Sequence, residues 1–477
     1  MEKLFKLKQN NTNVRTEVIA GLTTFMTMAY IIMLNPNLLT KFDTGSPLWN
    51  GVFLATCIAS FIGMMVMAFW ANKPFAMAPG MGLNSFFATV VSNIVALNIV
   101  GIGDSYEKAY QVALCIILIE GVVFLVLSLV NVREKIVEAL PLGIRLGISP
   151  AIGLMLLNIG FGSNNSLYSE TGGPHYMLAN FFGSLTPDAA QKAMGSAYDT
   201  MVLSVITTFV GLFIIVVLAH HKVKASVLIG MLCASVIFWI GQATWLDTNP
   251  FASLDGASFV PPFKDMANTT LFKFDFAHFI DIGWFTVITL VITFCIIDMF
   301  DTIGTLVGTA SRANMLDEKG KMPQMKQALT ADAVGTIAGA VTGTSTVTTF
   351  IESASGVEAG GRTGLTALVT GLCFLACMFL APVAAVIPSA ATSSALIYVG
   401  ILMFSGLKKI NFDDMSQVLP VAIMVIAMPI TSSIGHAIGL GLICYCVFQL
   451  FTGNAKKVSI LTYVLSAIFL LKFFVIV

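Results

Sequence analysis

Along the chain, apolar residues come in long blocks separated by short polar stretches. The blocks fall near 17–35, 51–70, 76–95, 110–130, 141–161, 200–219, 224–243, 283–306, 329–343, 345–358, 364–383, 388–406, 416–431, 433–452 and 458–475. Most approach the ~20 apolar residues that cross a bilayer as helix. They lack the every-second-residue alternation of a membrane barrel. The pattern therefore predicts helices, in which each segment satisfies its own backbone in lipid. Three blocks, 76–95, 329–343 and 345–358, are short or rich in Gly, Pro and Thr. Pro79 removes a backbone donor, and Gly80 and Gly82 loosen the chain. The β-branched run Thr344, Thr346, Val347, Thr348 and Thr349 favours extended structure. Residues 76–82 and 344–349 are thus expected to be extended, with helix following each.

The order of features repeats. ALPLGIRLGISPAIGLMLLNIGF (139–161) and VIPSAATSSALIYVGILMFSGL (386–407) each begin near a Pro and run through small residues into an apolar stretch. Upstream of each lies a small, Gly- or Thr-rich third block, FAMAPGMGLNSFFATVV (75–91) and GTSTVTTFIESASGVEAGG (343–361). Seven blocks separate the two sets, and an odd number inverts topology. This is the pattern of an inverted-repeat transporter with its site at the midplane, where broken helices meet.

Composition agrees. Of 477 residues, 57% are hydrophobic and 10% charged, and mean hydropathy is +0.88; soluble domains are about a quarter charged. Net charge is zero and there is no basic tract, so nothing points to nucleic acid. The eight cysteines lie inside apolar blocks without metal-ligand spacing, and read as small hydrophobes; neither metal nor cofactor is expected. The start, MEKLFKLKQNNTNVRTE, is polar and basic and reads as the flank of a start-transfer helix, not a removable signal. If it is cytoplasmic, 18 of the 25 Lys and Arg fall in inside loops, and only Lys41, Lys108, Lys192, Lys264 and Lys273 fall outside. The expectation is a multi-pass protein of the plasma membrane (the inner membrane in a bacterium) with its N-terminus inside. The long outside loops, 162–199 and 244–282, look like partly ordered caps.

Ionisable groups within a span are costly and mark function. TFCIIDMFDTIGTLVG carries Asp298 and Asp301 at i, i+3, TSTVTTFIESASG carries Glu352, and APGMGLNSFFA carries Asn84 in the corresponding place of the first set. An extended stretch followed by a half-helix leaves N–H groups aimed at a ligand. Asp298 and Glu352 should face the resulting pocket. Asp332 is read as a helix cap beside Thr330, and Glu120 as pairing across helices. His436 is placed near an interface. Of Phe25, Phe87, Phe294 and Phe350, one or two could stack on a ligand. None of the five histidines lies with the central acids, which argues against an enzyme. An anion carrier would want basic groups, and Arg145 is the only Arg inside a block.

At these residues the chain resembles the nucleobase–cation symporter family 2, within the xanthine/uracil permease superfamily, and specifically its AzgA-like purine permeases. The resemblance runs almost end to end. It rests on NVRTEVIAGLTTFMTMAYIIMLNP (13–36), NKPFAMAPGMGLNSFFA (72–88), DMFDTIGTLVG (298–308) and STVTTFIESASGVEAGGRTGLTA (345–367). It implies an all-α protein of about fourteen segments in two inverted sets of seven, with short strands before the third and tenth helices. It also implies a core domain (1–136 and 282–385) and a gate domain (137–281 and 386–477). The block 458–477 exceeds that pattern. The implied function is uptake of hypoxanthine, guanine or adenine coupled to H⁺, or to Na⁺ in its place, by alternating access. Transport of uracil, xanthine or an anion is the alternative on the same architecture. The family's substrate acids fall on Asp298 and Glu352, with Asn84 and Asp301 as further polar members. By the residues themselves, Phe350 and Phe87 lie nearby and proton coupling is placed on Glu352 and Asp298. Partners are then the purine, the coupling ion and the lipid bilayer; a homodimer is compatible with this reading.

Overall fold

The computed structural model describes residues 2–130, 140–161, 197–254, 257–312, 315, 322–431 and 434–474. Most of the 162–199 loop, and Arg133, Lys135, His175, Lys192, Lys319 and Lys321, lie outside the described residues.

The first set comprises α1 (Val14–Met28), α2 (Ile31–Leu39), α3 (Pro47–Val66), β1 (Met77–Pro79), α4 (Met81–Ala96), α5 (Tyr106–Leu129), α6 (Leu142–Phe161), α7 (Ala197–His220) and α8 (Ser226–Thr244). A short surface helix, α9 (Phe263–Thr269), follows. The second set comprises α10 (Trp284–Arg312), α11 (Met325–Thr342), β2 (Val347–Thr349), α12 (Ser353–Glu358), α13 (Gly364–Ala376), α14 (Ser389–Met403), α15 (Met415–Thr431) and α16 (Ile434–Phe451). Last comes α17 (Ile460–Phe474). With α1 and α2 taken as one broken span, each set has seven members, and the third member of each is a strand followed by a helix. The expected inverted-repeat fold is the one observed. Among the described residues, ten helices are long and apolar enough to cross a bilayer; α4, α15 and α17 are apolar but shorter.

Local sequence explains where several helices begin. The Asn13 side chain accepts from the Thr16 N–H at the start of α1, and Ser46 caps α3 ahead of Pro47 at its first position. The block over 17–35 lies within one span, Val14–Leu39, whose helix is interrupted at Ala29–Tyr30, where three-residue turns occur (Ile32 N to Ala29 O, Met33 N to Tyr30 O). One expectation needs correction. Asp332 caps nothing: α11 begins at Met325, so Asp332 sits well inside it and is fully buried. The polar but helix-favouring segment MKQAL extends that helix beyond its apolar block.

Glycines let backbones approach where the two sets meet. In α6 and α14, which carry the two similar Pro- and Gly-bearing stretches, a Cβ on Gly153 would lie 2.6 Å from Gly400 O, and one on Gly400 2.7 Å from Gly153 O. The reciprocity is what a local two-fold axis requires. In α11, Gly339 lets Ser345 O come within 2.6 Å of where its Cβ would be, and Gly335 faces Val347. This is the small-residue contact of membrane helices, here used to seat an extended strand. The 244–282 segment folds back as a cap: Asn50 donates to Asp265 (2.7 Å) and Phe272 N–H to Val341 O (2.8 Å). Helix α17 packs on α16 and α10, with the Phe469 ring over Gly439 and Phe473 against His436.

Candidate functional site

The two strands meet each other. β1 and β2 pair antiparallel in the register Met77 to Thr349, Ala78 to Thr348 and Pro79 to Val347, so two broken segments from opposite sets form one two-stranded ribbon. The pairing extends beyond the strands: Gly80 N–H donates to Thr346 O (3.1 Å) and Phe350 N–H to Ala76 O (3.0 Å). Non-helical backbone at this depth is tolerable only because protein surrounds it. All three residues of each strand are buried. The extended stretch is shorter than expected on the first side, since Met81 and Gly82 already belong to α4.

The run 344–348 is wired residue by residue to other elements. Thr344 accepts from the Asn35 amide (2.9 Å), which also donates to Thr56 (2.7 Å). The Ser345 hydroxyl donates to Asn84 Oδ1, and Thr346 donates to Glu120 Oε2 (2.6 Å). Thr348 Oγ1 lies 2.5 Å from Thr302 Oγ1. Thr302 in turn reaches Asp298 Oδ1 (3.0 Å) and Asp332 Oδ1 (2.8 Å). Just past the ribbon, the Tyr30 hydroxyl donates to Glu352 Oε1 (2.6 Å).

Burial divides the expected site residues. Asn84 and Asp298 are completely enclosed, whereas Asp301 and Glu352 are only half-buried, and Ile351 is 59% exposed. The accessible side of the site is therefore where Glu352 and Asp301 emerge. Asp301 Oδ2 comes within 3.4 Å of the position a Gly80 Cβ would take, and that Cβ would collide with Thr348 Cγ2 at 2.6 Å, so only glycine fits beside this acid. Phe87 is fully buried, edge-on to Tyr110 at 5.0 Å between centroids, and Phe350 is 7% exposed. Phe86 packs on Phe294 at 4.6 Å, and Phe25 on Phe374 at 5.7 Å. Glu120 pairs across to the other set through Thr346, as its isolation in an apolar block suggested.

Residue-by-residue reading missed Tyr30, Asn35, Thr302 and Ser345. Asn35 and Tyr30 lie in an apolar block whose one charged member, Glu17, stands at its start, and neither carries a charge to flag it. Thr302 is one of many threonines. Their importance comes from what they touch.

Chemically, the arrangement offers two half-buried carboxylates, Glu352 and Asp301, and a buried relay of hydroxyls behind them. It holds no cationic group among these contacts, so it suits a neutral ligand with N–H donors or a cation better than an anion.

The sequence matches the model of Xan_ur_permease, described as a permease family, over residues 15–441. It is 36% identical to the adenine permease AdeP of Escherichia coli, covering 99% of this chain and 95% of that one. It is 35% identical to the guanine/hypoxanthine permease PbuO of Bacillus subtilis, covering 99% and 100%. Among solved structures, the transmembrane domain of the cyanobacterial bicarbonate transporter BicA shares the fold. Its TM-score is 0.61 at 14% identity, over 89% of this chain and 97% of that one.

Proposed function

The chain belongs to the Xan_ur_permease family of permeases and is a multi-pass membrane transporter, and from that premise we propose that it takes up purine nucleobases together with H⁺ by alternating access. The relatives named for adenine and for guanine/hypoxanthine support the substrate class. A neutral purine presents N–H donors and ring-nitrogen acceptors along its edges. A carboxylate accepts from those N–H groups, and once protonated it also donates. In this reading the base lies against the ribbon, held by Glu352, Asp298, Asp301 and Asn84, with Phe350 and Phe87 flanking. Glu352 and Asp298 carry the proton.

The observation that carries the coupling is Thr302. Its hydroxyl has one hydrogen, yet its oxygen stands within hydrogen-bond reach of Asp298, Asp332 and Thr348. Thr348 can donate to it, and it can donate to one carboxylate. The second carboxylate, once it carries a proton, can donate to the Thr302 oxygen. The network therefore has a place for a proton, which is what a site loaded from a proton gradient needs.

Residues 1–136 and 282–385, which hold the ribbon and its acids, form the core that carries substrate; 137–281 and 386–477 form the gate. Close packing supports this division: α6, α14 and α15 pack together on the gate side, and α3, α5 and α11 on the core side. Movement of one against the other exposes the site alternately.

Competition uptake tests the substrate. Unlabelled hypoxanthine, guanine or adenine should displace a labelled purine where uracil and xanthine do not, and uptake should rise as external pH falls. Better competition by uracil, or uptake indifferent to pH and driven by Na⁺, would overturn the reading. The charge asymmetry also places the N-terminus inside, in the plasma membrane. A cysteine introduced near residue 5 should stay unmodified by an impermeant thiol reagent in intact cells, and labelling there would reverse the orientation.

A further inference from the structure

Glu352 is held differently from the other acids of the site. Its backbone is clamped on both sides, since Phe350 N–H donates to Ala76 O (3.0 Å) and Ser353 Oγ accepts from Ala76 N–H (2.9 Å). Its side chain is half-buried, and the Asp301 carboxyl of α10 faces it closely enough to interact with it electrostatically. Among the described residues, Tyr30 is the one side chain that hydrogen-bonds it, with the phenol oxygen 2.6 Å from Oε1. Tyr30 is 1% exposed and sits in the break between α1 and α2. It reaches across 322 positions of sequence to do this.

We propose that Tyr30 is a positioning residue that gives the two oxygens of Glu352 different work: Oε1 is committed to the protein, and Oε2 is the oxygen that takes the proton and meets the purine. The inference rests on the proposed role of Glu352 in binding. The chemistry follows from hydrogen-bond inventory. A phenol in contact with a carboxylate donates to it, which occupies Oε1 as an acceptor. A proton arriving at Glu352 then goes to Oε2, with the phenol still donating to Oε1, now the carbonyl oxygen. The same oxygen accepts from a purine N–H when ionised and donates to a ring nitrogen when protonated. Proton and substrate edge are thereby read at one atom, in one orientation. Without the phenol, either oxygen could take the proton and the carboxyl group could rotate.

Tyr30→Phe keeps the buried ring and removes only the donor. Because a hydrogen bond to the charged form favours that form, its loss makes Glu352 hold a proton more readily. The alkaline limb of purine uptake should move to higher pH, and KM should rise roughly three- to tenfold as orientation is lost. A purely structural role would change the amount of folded protein and leave the pH profile in place. Binding of labelled hypoxanthine, guanine and adenine to purified protein supplies the second arm. If Tyr30 acts through Glu352, the loss of binding in Tyr30→Phe combined with Glu352→Gln should be clearly smaller than the sum of the two separate losses. Additive losses, an unmoved pH profile, or failure of Tyr30→Phe to reach the membrane folded would each overturn the inference. Parent-like, pH-driven uptake by Glu352→Gln would instead overturn the proposed function on which it rests.

Discussion

Glu352→Gln is expected to bind purine and yet fail to accumulate it under an imposed pH gradient. Glutamine has nearly the same shape and retains an acceptor, so the Tyr30 hydroxyl can still donate to it and the ribbon need not move. What it cannot do is gain and lose a proton. Coupling requires the proton load of the site to differ between outward and inward states, because a gradient can do work only through a differential. Exchange of labelled purine for unlabelled purine, which needs no gradient, should survive with weakened affinity, while net accumulation should fall to the level set by the purine gradient alone. Asp298→Asn should harm binding more. It swaps an acceptor-only group for one with two donors beside Thr302 in a fully enclosed place, and mismatched buried polar groups cost ~1–3 kcal/mol each. Parent-like accumulation by both variants would remove these residues from the mechanism.

The other large effect should come from Thr302→Val, which substitutes a methyl for the hydroxyl with almost no change of volume. Three contacts disappear at once: those to Asp298, Asp332 and Thr348. Each of these side chains is buried, so each carries its own desolvation cost of ~1–3 kcal/mol when a partner is removed. Transport should be lost, and thermal stability in detergent should drop as β2 loses one of its anchors to α10 and α11. Thr302→Ser, which restores the hydroxyl, should recover most of both. Near-normal uptake by the valine variant would show that the relay carries neither the proton nor the strand.

Much of this was legible in one dimension because its cause is one-dimensional. Block length and the absence of alternation dictate helices in lipid. Pro79, Gly80 and the threonine run after Gly343 dictate where helix must fail, and the strands lie there. The rarity of charge inside spans dictates which acids matter, and the paired order of small-residue segments dictates the inverted repeat. The first span's break at Tyr30 and the early start of α11 at Met325 escaped, because apolar patterning does not distinguish a continuous helix from one interrupted by two residues. Nor does it show a helix that begins outside its apolar block.

The tertiary structure decided the partners. Tyr30 and Glu352 are 322 positions apart, Asn35 and Thr344 are 309, Asn84 and Ser345 are 261, and Glu120 and Thr346 are 226. Each pair joins one repeat to the other, and each forms only because two broken segments pair as β1 and β2. Apolar burial is a property of a segment and its surroundings, so it leaves a periodic trace in the sequence. A buried hydrogen bond is a property of two side chains whose proximity depends on the whole fold. Serine, threonine, asparagine and tyrosine look alike along the chain whether they line a site or cap a turn.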